Sequence, residues 1–177
     1  MRLMEDNGRY LAVHPTTYGL GFAVLERDLR LIDWGAYRAR ADKNQTSLRF
    51  LERLTRRFQP CAVLIETRER RERQRSVRIQ HFIDSVRTSA RQQGIVLKGI
   101  SHRKVRRFFE AQGAMTKQEI ALCIAELLPE LLHYLPPRRK AWMPEHGHMG
   151  TFDAIALALT HFNADENIFH DRIQPRP

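Results

Sequence analysis

The sequence predicts a mixed α/β sheet flanked by helices, and three observations support this prediction. Three short apolar segments, 10–15, 20–26 and 29–34, follow one another at the spacing of an antiparallel meander. Residues 61–65 then form an uninterrupted apolar run, which is typical of a strand buried on both faces. After the meander, helical periodicity alternates with strand-like runs, as in sheets that are covered by helices.

The order of elements follows from periodicity, caps and chain breakers. Arg27-Asp28 is suited to a tight turn within the meander, and Pro60 and Gly94 end two helical patterns. Ser101 can cap a short helix, and Thr116 with Glu119 has the spacing of a capping box. After the meander the predicted helices are 47–58, 74–93, 101–109, 116–132 and 151–162, with strands at 61–65 and 95–100.

Length and composition predict one domain that is not embedded in a membrane. The chain has 177 residues, so we expect one domain over 10–162 with tails at 1–9 and 163–177. No apolar run reaches the length of a membrane span, and the first residues lack the apolar core of a signal peptide. Cys61 and Cys123 lie in apolar runs, which favours buried thiols in a reducing, cytoplasmic compartment.

Positive charge is concentrated in one part of the chain. The formal net charge is +10, and residues 68–107 alone hold thirteen basic residues against three acids. This concentration predicts a basic face for a polyanion, and the predominance of arginine favours the phosphates of a nucleic acid. The alternative is a solvated, arginine-rich helix face. A membrane-surface helix is disfavoured because the segment lacks a strong aromatic face.

Three polar residues lie where the predicted sheet places strand ends and a helix start. His14 ends the first strand, Glu66 follows the buried run, and Asp153 falls in the first turn of the last predicted helix. Glu66 is either a site carboxylate or an ion-pair partner for Arg68 or Arg70. Asp153 is either a site carboxylate or an acid that stabilises a helix dipole.

Three segments in the correct order resemble the RuvC family of Holliday-junction resolvases, in the ribonuclease-H-like superfamily. Residues 11–19 (LAVHPTTYG) resemble the first-strand block, and residues 101–107 (SHRKVRR) with a later lysine resemble a basic segment of the family. Residues 153–161 (DAIALALTH) are close to the family's last helix. The resemblance implies a ribonuclease-H-like mixed five-stranded sheet.

The resemblance also implies a structure-selective endodeoxyribonuclease of the crossover-junction type that uses two divalent ions, Mg²⁺ or Mn²⁺. The family's acids match Glu66 and Asp153, while Arg106 and Lys117 match residues that contact DNA phosphates. The catalytic candidates are His14, Glu66 and Asp153, and the metal candidates are these three with His148. The DNA-binding candidates are Arg68, Arg70, Arg71, Arg75, Arg78, Arg103, Lys104, Arg106, Arg107 and Lys117.

Two departures from the family's pattern affect the metal site. The first-strand acid is replaced by His14, and a further acid, three residues before Asp153, is replaced by Gly150. A neutral imidazole cannot bridge two hard cations, although it suits Mn²⁺ better than Mg²⁺. His146 and His148 could assist an altered site. The sequence therefore predicts a weakened or absent metal site and little Mg²⁺-dependent cleavage.

The functional alternatives left open are three. The chain is an active endonuclease with an altered metal site, a catalytically degenerate relative that binds branched DNA, or a basic structural or adaptor protein that uses the fold for protein contacts. The resemblance implies a homodimer, because family members commonly act as homodimers, which fits the two-fold symmetry of a four-way junction. The apolar stripe of the 74–93 helix, including Val77 and Phe82, either forms that interface or covers the sheet.

Overall fold

The computed structural model describes residues 8–68, 76–140 and 142–165. Within these ranges the chain forms one mixed five-stranded sheet in the order β3-β2-β1-β4-β5. β1 is antiparallel to β2 and parallel to β4, so the meander and the parallel half meet at β1. This arrangement confirms the predicted ribonuclease-H-like fold class. The strands are β1 Tyr10–Pro15, β2 Gly19–Leu25, β3 Leu31–Arg38, β4 Ala62–Thr67 and β5 Val96–Ser101.

Five α-helices and one 3₁₀ segment accompany the sheet in the described part of the chain. Three of the helices begin at serine or threonine caps, and the capping box predicted at Thr116 and Glu119 is present. Among the described residues no helix is both long and apolar enough to cross a bilayer. The helices are α1 Lys43–Phe58, α2 Val77–Gln92, α3 His102–Glu110, α4 Lys117–Leu127 and α5 Met149–Asp165, with the 3₁₀ segment at Pro129–Tyr134.

The sheet is buried on both faces because its central strands are apolar throughout. Alternate residues of β1 enter opposite cores, so Tyr10 and Ala12 face α5 whereas Leu11 and Val13 face α1 and α2. The helix α5 crosses β1 and β2 and is itself almost entirely buried. The site residues on α5 are consequently held on a rigid scaffold.

Several boundaries differ from the sequence predictions, and α1 begins at Lys43 rather than at 47. Strand β3 runs to Arg38 rather than 34, because residues 35–38 still pair with β2 at the sheet edge. The helix predicted to reach Leu132 ends at Leu127, since Pro129 cannot continue it and a 3₁₀ segment follows. The last helix begins at Met149 and runs beyond 162 to Asp165.

The apolar stripe of α2 is divided between the core and the surface. Phe82 and Val86 are buried against the sheet, whereas Val77 is 67% exposed. Part of the stripe therefore covers the sheet, and its N-terminal end remains open on the surface.

Candidate functional site

The fold brings His14, Glu66 and Asp153 together at one edge of the sheet. The His14 Nε2 atom lies 3.4 Å from an Asp153 carboxylate oxygen, and its Nδ1 atom lies 3.9 Å from a Glu66 oxygen. All three side chains are largely buried, with exposures of 12%, 7% and 16%. The imidazole thus lies between the two carboxylates. We call these three residues the acidic centre.

Strand register explains this convergence. β1 and β4 are parallel with Val13 opposite Ile65, so the next residues along, His14 and Glu66, are neighbours on adjacent strands. The sequence predicts that Glu66 lies just after the buried strand. In the structure Glu66 is the fifth of six residues of β4 and therefore lies within the strand. Asp153 reaches the same edge from α5.

One guanidinium and one imidazole contact the buried carboxylate of Glu66. The Arg68 Nε atom donates to one carboxylate oxygen at 3.2 Å, and the His102 Nδ1 atom lies 3.4 Å from the other. A buried carboxylate without such partners would be strongly disfavoured. The expected ion pair of Glu66 with Arg68 is therefore present, and Glu66 belongs to the acidic centre as well.

Asp153 is compensated by Lys117 from α4. The Lys117 ammonium lies 2.8 Å from an Asp153 oxygen and 3.1 Å from both oxygens of Glu145. Partial burial lowers the pKa of Lys117, but the nearby carboxylates of Asp153 and Glu145 outweigh this effect, so its pKa is raised overall. Lys117 consequently remains charged at neutral pH and forms a stable bridge between α5 and the segment before it.

The helix-dipole interpretation of Asp153 is wrong. Because α5 begins at Met149, its first turn contains no acid, and Asp153 lies in the second turn. The dipole effect falls off within the first turn of a helix. The position of Asp153 is explained instead by its contacts with His14 and Lys117.

Close packing occupies the space around Gly150. A Cβ atom added at Gly21 of β2 would lie 2.0 Å from the Gly150 carbonyl carbon, which is far below any tolerated contact. A Cβ atom added at Gly150 would lie 2.6 Å from the Thr16 Cγ2 atom. The start of α5 therefore packs directly against β2, with Gly150 on Gly21. An acidic side chain at position 150 would not fit without rearrangement of its neighbours.

The donor set does not fit the two divalent ions that the RuvC resemblance implies. Two carboxylates and an imidazole face one another, and each carboxylate is already within 3.2 Å of a cationic nitrogen. Among the described residues no group of three or more His, Cys, Asp or Glu side chains is arranged to hold a metal ion. Two hard dications need more anionic oxygen than Glu66 and Asp153 supply.

His148, the fourth metal candidate, is engaged elsewhere. Its ring stacks on Tyr134 at a centroid distance of 3.7 Å, and its Nδ1 atom lies 3.0 Å from the Tyr134 carbonyl oxygen. His146 contacts His148 edge to face. These contacts close the connection between the 3₁₀ segment and α5.

Apart from Arg68 and Lys117, which contact the acidic centre, the basic candidates divide into three groups. Arg103, Arg106 and Arg107 line a groove along α3 together with His102, whose ring reaches Glu66. Lys104 lies exposed on the same helix. Arg78, by contrast, donates to the Thr16 carbonyl at 2.6 Å and to Asn44, so it ties α2 to the chain after β1. Arg70, Arg71 and Arg75 lie outside the described residues.

Sequence reasoning missed His102, Glu145 and the contact between the two glycines. The signal for His102 was available: β5 is parallel to β4, and Ile100 pairs with Glu66, so a residue shortly after β5 must lie near Glu66. No sequence signal pointed to Glu145, because its ion pair with Lys117 spans 28 positions.

Comparisons with known proteins agree with this architecture. No protein-family model matches the sequence, and no curated protein matches it either. Among solved structures, Thermus thermophilus RuvC in complex with a Holliday junction substrate is similar with a TM-score of 0.67 and 20% identity, over 91% of this chain and 97% of that chain. A second Thermus thermophilus RuvC structure is similar with a TM-score of 0.65 and 20% identity, over 90% of this chain and 97% of that chain. The yeast mitochondrial Holliday junction resolvase is similar with a TM-score of 0.56 and 12% identity, over 94% of this chain and 82% of that chain. The chain has the fold of the Holliday-junction resolvase RuvC.

Proposed function

We propose that this protein is a divergent RuvC-family member that binds branched DNA, such as four-way junctions, and does not cleave it with Mg²⁺. The observation that carries the proposal is the similarity, over 91% of the chain, to a RuvC solved with a Holliday junction substrate. The local concentration of positive charge beside the acidic centre supports it independently.

The helix α3 offers the most accessible phosphate contacts. Its exposed face carries Arg103, Lys104 and Arg107, whereas Arg106 is held by Glu110 at 2.9 Å. Exposed guanidinium groups match phosphate oxygens with paired N–H donors. Because His102 on the same helix contacts Glu66, a DNA backbone on α3 would pass directly beside the acidic centre.

The acidic centre supports binding better than cleavage. Arg68 and Lys117 place positive groups on the two carboxylates, so less negative charge is left to attract divalent ions. The resemblance implies a bridging carboxylate in the first strand, and His14 stands in its place. The same internal compensation reduces repulsion between the two carboxylates and an approaching phosphate.

Equilibrium binding across a salt series tests the proposal against the adaptor alternative. The protein should bind a four-way junction more tightly than a duplex of equal length, and affinity should fall steeply as salt rises. Replacing Arg103 and Arg107 by alanine should make the slope of log K against log salt shallower by about 2, because about 0.9 is lost per phosphate contact.

A matched control removes the same charge elsewhere. Arg49 and Arg56 are exposed on α1, which covers the opposite face of the sheet. Arg49→Ala with Arg56→Ala should leave the slope nearly unchanged. Equal effects of the two double variants would show that DNA is attracted by the overall charge and not by α3. If the protein binds no DNA at all, the adaptor alternative is favoured.

A second double variant tests the residue correspondence with the family. Arg106→Ala with Lys117→Ala should weaken junction binding and flatten its salt dependence. Because Lys117 is paired with two carboxylates, the part of the loss that comes from Lys117 reflects both its charge and the order of the segment that it holds. Unchanged affinity would remove this correspondence.

A further inference from the structure

The connection between the 3₁₀ segment and α5 presents a large aromatic side chain to solvent. It runs from 135 to 148 without regular secondary structure among its described residues, and connections of this length are uncommon within a domain. Trp142 is 78% exposed, the highest exposure among the large apolar side chains described. An exposed tryptophan of this kind is unexplained by folding, because it contributes little to either core.

Contacts near both ends hold the connection that carries Trp142 against the rest of the protein. Tyr134 stacks on His148 at 3.7 Å, which joins the residue before the connection to its last residue. Gln118 of α4 donates to the Pro136 carbonyl at 3.0 Å. Beside Trp142, the Met143 amide donates to the Lys140 carbonyl at 3.0 Å.

Positive charge precedes this aromatic ring in the chain. Arg138, Arg139 and Lys140 are all exposed and precede Trp142 in the chain. The Lys140 ammonium lies over the ring, 5.7 Å from its centroid. A tryptophan that follows three exposed basic residues combines a stacking platform with phosphate-binding groups, which is the chemistry that single-stranded nucleic acid requires.

The connection is also linked to the acidic centre. Glu145 lies three residues after Trp142 and shares the Lys117 ammonium with Asp153. Branched DNA that lies against the centre would therefore have bases within reach of this segment. Bases at a branch point have fewer stacking neighbours than bases inside a duplex, so they are the ones available to an external ring.

We propose that Trp142, with Arg138, Arg139 and Lys140, forms a stacking site for an unpaired nucleobase of the bound DNA. The ring stacks on the base, and the three cations hold the adjoining phosphates. This inference rests on the proposed DNA-binding function and adds the group that distinguishes a branch point from continuous duplex.

Tryptophan fluorescence reports on this site directly, because the chain has only two tryptophans. Trp34→Phe leaves Trp142 as the single emitter. Its emission should be quenched by a four-way junction and by single-stranded oligothymidylate, and much less by a blunt duplex of equal length. In the Trp142→Phe protein the remaining Trp34 emission should not respond to either probe.

Affinity measurements complete the test. Trp142→Ala should weaken junction and oligothymidylate binding about tenfold while duplex binding stays within about twofold, and Trp142→Phe should retain most of the affinity. Met143→Ala is the matched control, since Met143 is the exposed neighbour at 40%. Two results together would overturn the stacking site and leave the proposed function standing. They are unchanged junction binding by the Trp142→Ala protein and unquenched Trp142 emission in the Trp34→Phe protein. A Trp142→Ala protein that loses self-association instead assigns the ring to a protein contact and also overturns it. Absence of any DNA binding by the unaltered protein overturns the proposed function itself.

Discussion

The Lys117 ammonium lies 2.8 Å from an Asp153 carboxylate oxygen, so the protein itself supplies the positive charge that a metal ion would bring to this carboxylate. Arg68 stands in the same relation to Glu66 at 3.2 Å. The acidic centre is thus compensated from within, because each of the two carboxylates already has a cationic partner.

Removing the lysine charge should expose the carboxylates. Lys117→Met leaves Asp153 and Glu145 without their shared cation, so we expect it to bind Mn²⁺ at least about tenfold more tightly than the unaltered protein. Lys117→Arg retains the charge and is the control. Titration calorimetry with Mn²⁺ measures the change. If Lys117→Met binds no more Mn²⁺ than the control, internal compensation by Lys117 is not what keeps metal affinity low.

The contact between Gly21 and Gly150 should be intolerant of any side chain. Gly21→Ala places a methyl group against the backbone of α5, and we expect a loss of about 2 kcal/mol or more, or about 4–8 °C in Tm. Gly150→Ala should cost less because the Thr16 side chain can turn away. Gly147→Ala, where a Cβ atom meets nothing within 4 Å, should be neutral. Thermal denaturation that ranks the three variants otherwise would contradict the packing described.

Restoring the first-strand carboxylate should restore metal affinity. His14→Asp adds an anionic oxygen ligand between Glu66 and Asp153, so Mn²⁺ should bind at least about tenfold more tightly than in His14→Asn, which adds no charge. Slow Mn²⁺-dependent nicking of junction DNA should accompany it and should be abolished by Glu66→Gln in the same protein. Equal Mn²⁺ affinity in the Asp and Asn variants would show that His14 is not the limiting ligand.

A homodimer remains a prediction, and the exposed end of the α2 stripe provides its test. Sedimentation should give twice the chain mass of 20.8 kDa for the unaltered protein. Val77→Asp, at a side chain 67% exposed, should shift the equilibrium towards the monomer if this stripe forms the interface. Val96→Asp, at an exposed residue of the edge strand, is the control. A protein that stays monomeric with and without junction DNA would contradict the dimer.

The sequence determined the fold because its local signals agree with one another. Apolar alternation, the uninterrupted run before Glu66 and the serine and threonine caps each specify one element, and their order admits few topologies. The convergence of His14 with Glu66 depends on the parallel pairing and the register of β1 and β4. Boundaries were less predictable at Pro129 and at the start of α5, where backbone packing rather than periodicity sets the helix end.

The remaining parts of the site depend on contacts between distant segments. The ion pair of Lys117 with Glu145 and the seat of Gly150 on Gly21 join positions that no local pattern relates. The stacking of His148 on Tyr134 likewise became visible only in three dimensions, and it gives this histidine an anchoring contact that sequence spacing could not suggest. Packing, rather than spacing, decides such roles.

One measurement tests the central claim most directly. The protein is mixed with a labelled four-way junction in EDTA and in Mg²⁺, and each sample is divided between a native gel and a denaturing gel. We predict a junction complex of equal affinity in both conditions, with intact strands on the denaturing gel. Rapid Mg²⁺-dependent cutting that Glu66→Gln abolishes, or a complex that forms only with Mg²⁺, would contradict a metal-independent junction-binding protein.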